Sequence, residues 1–238
     1  MEFGKNLKNK NVSHYFHRLS NEYREQDKLL LAEIFGHITI FFYKINREFL
    51  NLSDAYQSLV LVYKHKYLLS KKQKFLKLSD KYAQKSFDLS LNKKLNNLYT
   101  CYFRLGEINM LRNKFPSAVQ NFQNSLKLYP KNNSEKGDYQ YHLGEAQYRN
   151  GDKKSGFKNL LDGLEIIKKY QSKTDSFLIH VWQSGCLIKL AELLQKDDPS
   201  QSQKYLFQAD KIISNDSGLV IRKRQLIELK NKLNYGQK

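Results

Sequence analysis

Apolar residues recur at steps of three and four along nearly the whole chain, and seldom at steps of two. A three–four step puts side chains on one face of a helix, whereas a strand requires alternation. Polar clusters interrupt the pattern roughly every 15–20 residues, which predicts a succession of helices and no sheet. Helices are predicted over 12–29, through Tyr15, Phe16, Leu19 and Tyr23, and over 31–49, through Ile34, Ile38, Phe41, Phe42, Ile45 and Phe49. Ser53 reads as the N-cap of the next, which carries Tyr56, Leu59, Val60, Tyr63 and Tyr67. Further helices follow over 73–91, 94–112, 115–129, 135–150, 153–170, 174–195, 200–214 and 218–234.

The most regular stretch runs from Tyr102 to Pro130, with Leu105, Gly106, Phe115, Ala118, Phe122 and Leu126 between them. Gly106 and Ala118 are small residues where two antiparallel helices have to cross closely. Pro130 ends the second helix because it has no backbone N–H to donate. The Leu-Gly dipeptide of 105–106 returns at 143–144, with Gly156 in the place of Ala118. Gly185 answers to Gly144 in a third, weaker copy around Trp182-Gln183-Ser184.

On these residues the chain resembles the tetratricopeptide repeat (TPR) family. The resemblance implies an all-α, right-handed superhelical solenoid of antiparallel helix pairs. It implies one repeat domain over 1–238, with its best repeats at 94–130 and 135–170. Degenerate pairs fall at 12–49, 53–91 and 174–214, and a capping helix at 218–234. The charged face of that last helix (Arg222, Lys223, Arg224, Glu228, Lys230, Lys232) suits an end that stacks no further. The resemblance also implies a concave groove lined by the first helix of each pair and holding a protein or peptide. The candidate contacts are then Asn97, Arg104, Asn109, Arg112, Gln140, Gln147, Tyr148 and Arg149, with Tyr99 and Tyr139 as amphipathic neighbours. Basic groove residues favour an acidic peptide or a terminal carboxylate.

Composition changes the picture in one respect. The net charge is +18, with 33 Lys against 8 Arg. The stretch 64–94 alone holds ten lysines and only Asp80 and Asp88 as acids. Nucleic acid is therefore an alternative partner, although scarce arginine argues against base recognition and 20 Asn point to an A+T-rich coding composition.

The apolar runs are all shorter than the ~20 residues of a membrane span, and no secretory leader is recognisable, so a cytoplasmic protein without membrane insertion is expected. Cys101 and Cys186 read as buried free thiols. No metallohydrolase, nucleophile-elbow or phosphate-loop motif is present, and no enzyme activity or cofactor is expected. His14 and His17 share a helix face, but a metal would need a third ligand.

Overall fold

The computed structural model describes residues 10–235, which form eleven α-helices and one short 3-10 turn, Gln171–Lys173, with no strand among them. In chain order the helices are α1 Lys10–Glu25, α2 Leu29–Ile45, α3 Phe49–Ser70, α4 Gln73–Asn92, α5 Leu98–Leu111 and α6 Phe115–Leu128. They continue with α7 Ser134–Arg149, α8 Lys153–Lys169, α9 Ser176–Leu194, α10 Pro199–Ser214 and α11 Val220–Tyr235. The chain divides into two compact units, Met1–Lys114 and Phe115–Lys238. The division falls in the turn of the 94–130 pair.

In both units the paired helices touch at small residues. In the second unit a β-carbon added to Gly137 would lie 2.5 Å from the Gly163 carbonyl oxygen. One added to Gly144 would lie 2.7 Å from the Gly156 carbonyl oxygen. Contacts under 3.0 Å against backbone force something to move, so α7 and α8 run antiparallel with main chain against main chain. The same crossing recurs with serine. Ser79 donates to the Val60 carbonyl at 2.9 Å and Ser86 to the Ser53 carbonyl at 3.1 Å, which joins α3 to α4. Ser20 reaches the Ala32 carbonyl at 2.8 Å between α1 and α2, and Ser202 reaches the Ala191 carbonyl at 2.7 Å between α9 and α10.

Two expectations change here. Ser53 is no cap: α3 already begins at Phe49, and Ser53 is fully buried at the α3–α4 crossing. Serine is favoured both as a cap and as a small crossing residue, and the sequence pattern does not separate the two. Gly185 does not stand at the α9–α10 crossing, where the Ala191 carbonyl meets Ser202. It opens room for the Arg222 guanidinium, 2.7 Å from where its β-carbon would be, and Arg222 donates to the Val181 carbonyl. One basic residue of the predicted charged end therefore turns inward.

Five helix ends share one closure. After α1, α2, α4, α5 and α7 the chain enters a left-handed residue: Asp27, Arg47, Lys94, Asn113 and Gly151. Each turn closes with a bond back over five residues, Lys28 to Tyr23, Glu48 to Tyr43, Leu95 to Ser90, Lys114 to Asn109 and Asp152 to Gln147. Only Gly151 is the residue this conformation prefers. Starts are more conventional. Asn133, Asp152, Asp175 and Asp198 cap α7 to α10, and Pro199 occupies the first turn of α10.

Apolar burial fills what the crossings leave. Tyr43, Leu59, Val62 and Tyr63 centre the core of the first unit. Tyr141, Leu160, Ile167, Leu187 and Leu190 centre that of the second. Among the described residues α9 alone is long and apolar enough to cross a membrane. Its buried side, including Cys186, Leu187, Leu190 and Ala191, belongs to the second core, which makes α9 a core helix.

Two stability predictions follow from the backbone. Gly144→Val drives two methyls into the α8 backbone, and a loss of about 3 kcal/mol or more is expected in urea unfolding. A loss below 1 kcal/mol would mean that the crossing relaxes freely. Arg47→Gly relieves a left-handed residue at an exposed turn and is expected to stabilise by roughly 0.5–1 kcal/mol after the added chain entropy is counted. A rise in the urea midpoint checks it.

Candidate functional site

The first helices of successive pairs present polar rows, and these are the candidate surface. On α7, Asp138, His142, Glu145 and Arg149 follow one another at helical steps of four, three and four. On α9, Lys189 and Glu192 complete the row. Arg149 lies 3.0 Å from Glu145 and 3.2 Å from Glu192, and Lys189 lies 3.0 Å from Glu145 and 3.2 Å from Glu192. Two acids and two bases thus neutralise one another. The Glu145 side chain is 7% exposed, while Arg149 and Lys189 keep about a third of their surface in solvent. Burial disfavours the Glu145 carboxylate, but Lys189 and Arg149 together hold its pKa down to about 2. Burial also opposes charge on Lys189, and Glu145 and Glu192 overcome it and raise its pKa.

The first unit holds a related cluster on α5. Lys64 of α3 lies 2.6 Å from Glu107, and Arg104 bonds the other oxygen of the same carboxylate. Glu107 and Glu145 each follow a Leu-Gly dipeptide, so the repeated unit is Leu-Gly-Glu, at 105–107 and 143–145. Sequence reasoning took the dipeptide as packing and missed the glutamate. The signal was its place directly after the glycine of each Leu-Gly dipeptide.

The predicted contacts divide by what they already touch. Asn97 is buried, donates to Asp54 at 2.7 Å and accepts from Ser90 at 2.8 Å. Arg112 is bound to Asp80 at 3.0 Å. Gln140 donates to Asn159 at 2.7 Å, and Asn159 in turn donates to Gln147. Tyr148 donates to Asp197, and the Lys153 ammonium lies 5.6 Å from its ring. Asn109 and Tyr99 are half-buried. Tyr139 is buried and donates to Glu135 at 3.1 Å. Within the second unit the structure thus gathers Gln140 and Gln147 along the α7–α8 border, and Tyr148 and Arg149 at the α9 end of α7. Asp198 caps α10, and Asp197, beside it, receives Tyr148 and Lys153.

Other polar clusters are internal. Cys101 sits among Ser53, Ser86, Ser90 and Gln57, all buried. Burial pushes the Cys186 thiol well up, and its Sγ donates to the Leu160 carbonyl. Both cysteines are free thiols. His14 and His17 converge on the Tyr43 hydroxyl at 3.0 and 3.4 Å, and His17 also meets Ser58 at 2.9 Å. No group of three or more His, Cys, Asp or Glu among the described residues is placed to hold a metal ion.

Comparison with known proteins agrees with this architecture. A family model described as SHNi-TPR matches residues 100–135. The fold is similar to the crystal structure of BtubC (BKLC) from P. vanneervenii, with a TM-score of 0.60 at 15% identity, covering 83% of this chain and 78% of that one. No curated protein matches the sequence. The short family match and the structural likeness together support a TPR-like helical-repeat fold.

The histidine pair yields a pH prediction. Burial lowers the His17 pKa from 6.5 to about 4, helped by His14 and Arg24. The folded chain therefore holds His17 neutral where the unfolded chain protonates it. The stability this protects is present above pH 6.5 and is lost as the pH falls towards 4. Urea unfolding at a series of pH values should show a loss of roughly 2–3 kcal/mol across that window, flattened in His17→Asn. An unchanged slope in the variant would assign the loss to other groups.

Proposed function

We propose that this chain is a non-enzymatic adaptor that binds a protein or peptide through the polar first-helix face of its second unit. The observation that supports it is the strip on α7 and α9, where Arg149, Lys189 and Glu192 are partly exposed yet held in place by one another. Fixed, half-exposed donors and acceptors present hydrogen bonds to a main chain without first being ordered. Tyr148 and Lys153 extend the strip towards Asp197. Asn97 is the least suited of the candidates, since its amide is buried between Asp54 and Ser90.

Acidity of the partner does not rest on the candidate arginines. Arg104, Arg112 and Arg149 are each matched by an acid of their own unit. It rests on the lysine excess of the chain. A cytoplasmic setting is part of the proposal and accords with two free, buried cysteines.

The second reading, nucleic acid along 64–94, keeps one favourable feature. Lys74, Lys77, Lys81 and Lys85 are exposed at steps of three, four and four, so they form a continuous stripe on α4. Two lysines of the region do not join it: Lys64 is paired with Glu107 and Lys66 with Glu33.

Affinity capture from the source cell, compared between wild type and Tyr148→Ala/Gln147→Ala, tests the first reading. Proteins retained by wild type and reduced roughly tenfold by the double variant are expected, with an unchanged thermal melt. Retention of nucleic acid alone, lost steeply with added salt, would replace the adaptor with the second reading.

A further inference from the structure

Helix α2 is apolar on two opposite sides. One side is buried: Leu29, Ala32, Gly36, Thr39, Ile40 and Tyr43 pack into the first unit. The other carries Leu31 at 38% exposure, Ile34 at 45%, Phe41 at 55% and Ile45 at 41%, with Ile38 half-buried between them. Positions 31, 34, 38, 41 and 45 advance by three, four, three and four residues. That is the a/d spacing by which one helix receives another, knobs into holes. The ridge spans about 21 Å, or nearly four turns. A surface helix with its inner face already satisfied gains nothing from such a row unless something covers it.

The surroundings select what covers it. Lys44 is exposed at the C-terminal end of α2, and Lys81 and Lys85 are exposed on α4. None of the three is in an ion pair among the described residues. They lie close enough together that burial first, then Lys81 and Lys44, lower the Lys85 pKa. Lys85 also lies over the Tyr82 ring at 5.4 Å, and Tyr82 meets His37 of α2. The lysine stripe of α4 therefore borders the α2 ridge. A second copy of this chain would bring the same unpaired lysines and another +18 of charge to the contact. A phosphate backbone would meet the lysines but leave the ridge of isoleucine and phenylalanine in water.

We propose that the outer face of α2, with its lysine border on α4, docks an amphipathic helix of another protein that has an apolar a/d seam and an acidic flank. This surface lies wholly in the first unit and does not involve the α7–α9 strip. Apolar knobs set the register on the Leu31–Ile45 ridge, and glutamates or aspartates of the partner face Lys44, Lys81 and Lys85.

The test uses the full chain and two labelled peptides of three heptads, with Leu at a and d and either Glu or Lys at e and g, read by fluorescence anisotropy and by helix content. The Glu-flanked peptide is expected to bind, to gain helix and to weaken with salt; the Lys-flanked peptide is not. Phe41→Glu and, separately, Ile34→Glu should each reduce affinity at least roughly tenfold with unchanged thermal melts. Lys81→Glu/Lys85→Glu should reverse the preference between the peptides. Tyr148→Ala should leave binding intact, which separates this surface from the adaptor reading above. The proposal is overturned if neither peptide binds, if flank charge makes no difference, or if Phe41→Glu has no effect. Self-association in sedimentation, or binding of anionic vesicles or a nucleic-acid oligomer, would also overturn it if abolished by Phe41→Glu.

Discussion

Contact between the main chains of paired helices is the constraint on which this protein depends. Where Gly144 meets the Gly156 carbonyl, the helices stand main chain against main chain, and at the α3–α4 crossing Ser79 bonds the Val60 carbonyl. That closeness brings Tyr141 and Leu160 into one core and turns the remaining side chains of each first helix outward. Glycine and serine reach the same end differently. Glycine removes the β-carbon altogether, whereas serine keeps it and satisfies a carbonyl of the neighbour, so the second solution adds a buried hydrogen bond to the contact.

The polar rows on the first helices are a consequence of this geometry. A helix that buries one narrow stripe of small residues has room for a second, chemically different stripe. On α7 that stripe carries Asp138, His142, Glu145 and Arg149. Its charges are compensated within the unit, which leaves the surface polar but nearly neutral. The uncompensated charge of the chain lies elsewhere, on lysines such as those of α4. The lysine excess and the neutralised α7–α9 strip are therefore separate features of this molecule.

Helices and much of their pairing were legible in the sequence because the three–four apolar step is strong and Gly144, with Gly156, marks a crossing. Ser53 was misread because serine serves two roles, and only the partner carbonyl distinguishes them. Helix ends were harder to place. Four of the five turns with the five-residue closure use Asp, Arg, Lys or Asn in a conformation that glycine would advertise. The long-range partners were beyond reach: Asp54 for Asn97, Asp80 for Arg112 and Glu192 for Arg149 are distant in sequence and nothing local identifies them. Glu107 and Glu145 could have been found from their shared place after Leu-Gly.

The Glu145–Lys189 contact also bears on the order of assembly. Glu145 and Arg149 are present once α7 is made, but Lys189 and Glu192 arrive only with α9. Until then α7 and α8 can close their glycine crossing, yet Glu145 faces water and lacks half its counter-charge. Sealing the charge cluster and burying α9 must therefore occur together. During synthesis the second unit gains its full charge cluster only once α9 has been made, well after the α7–α8 crossing.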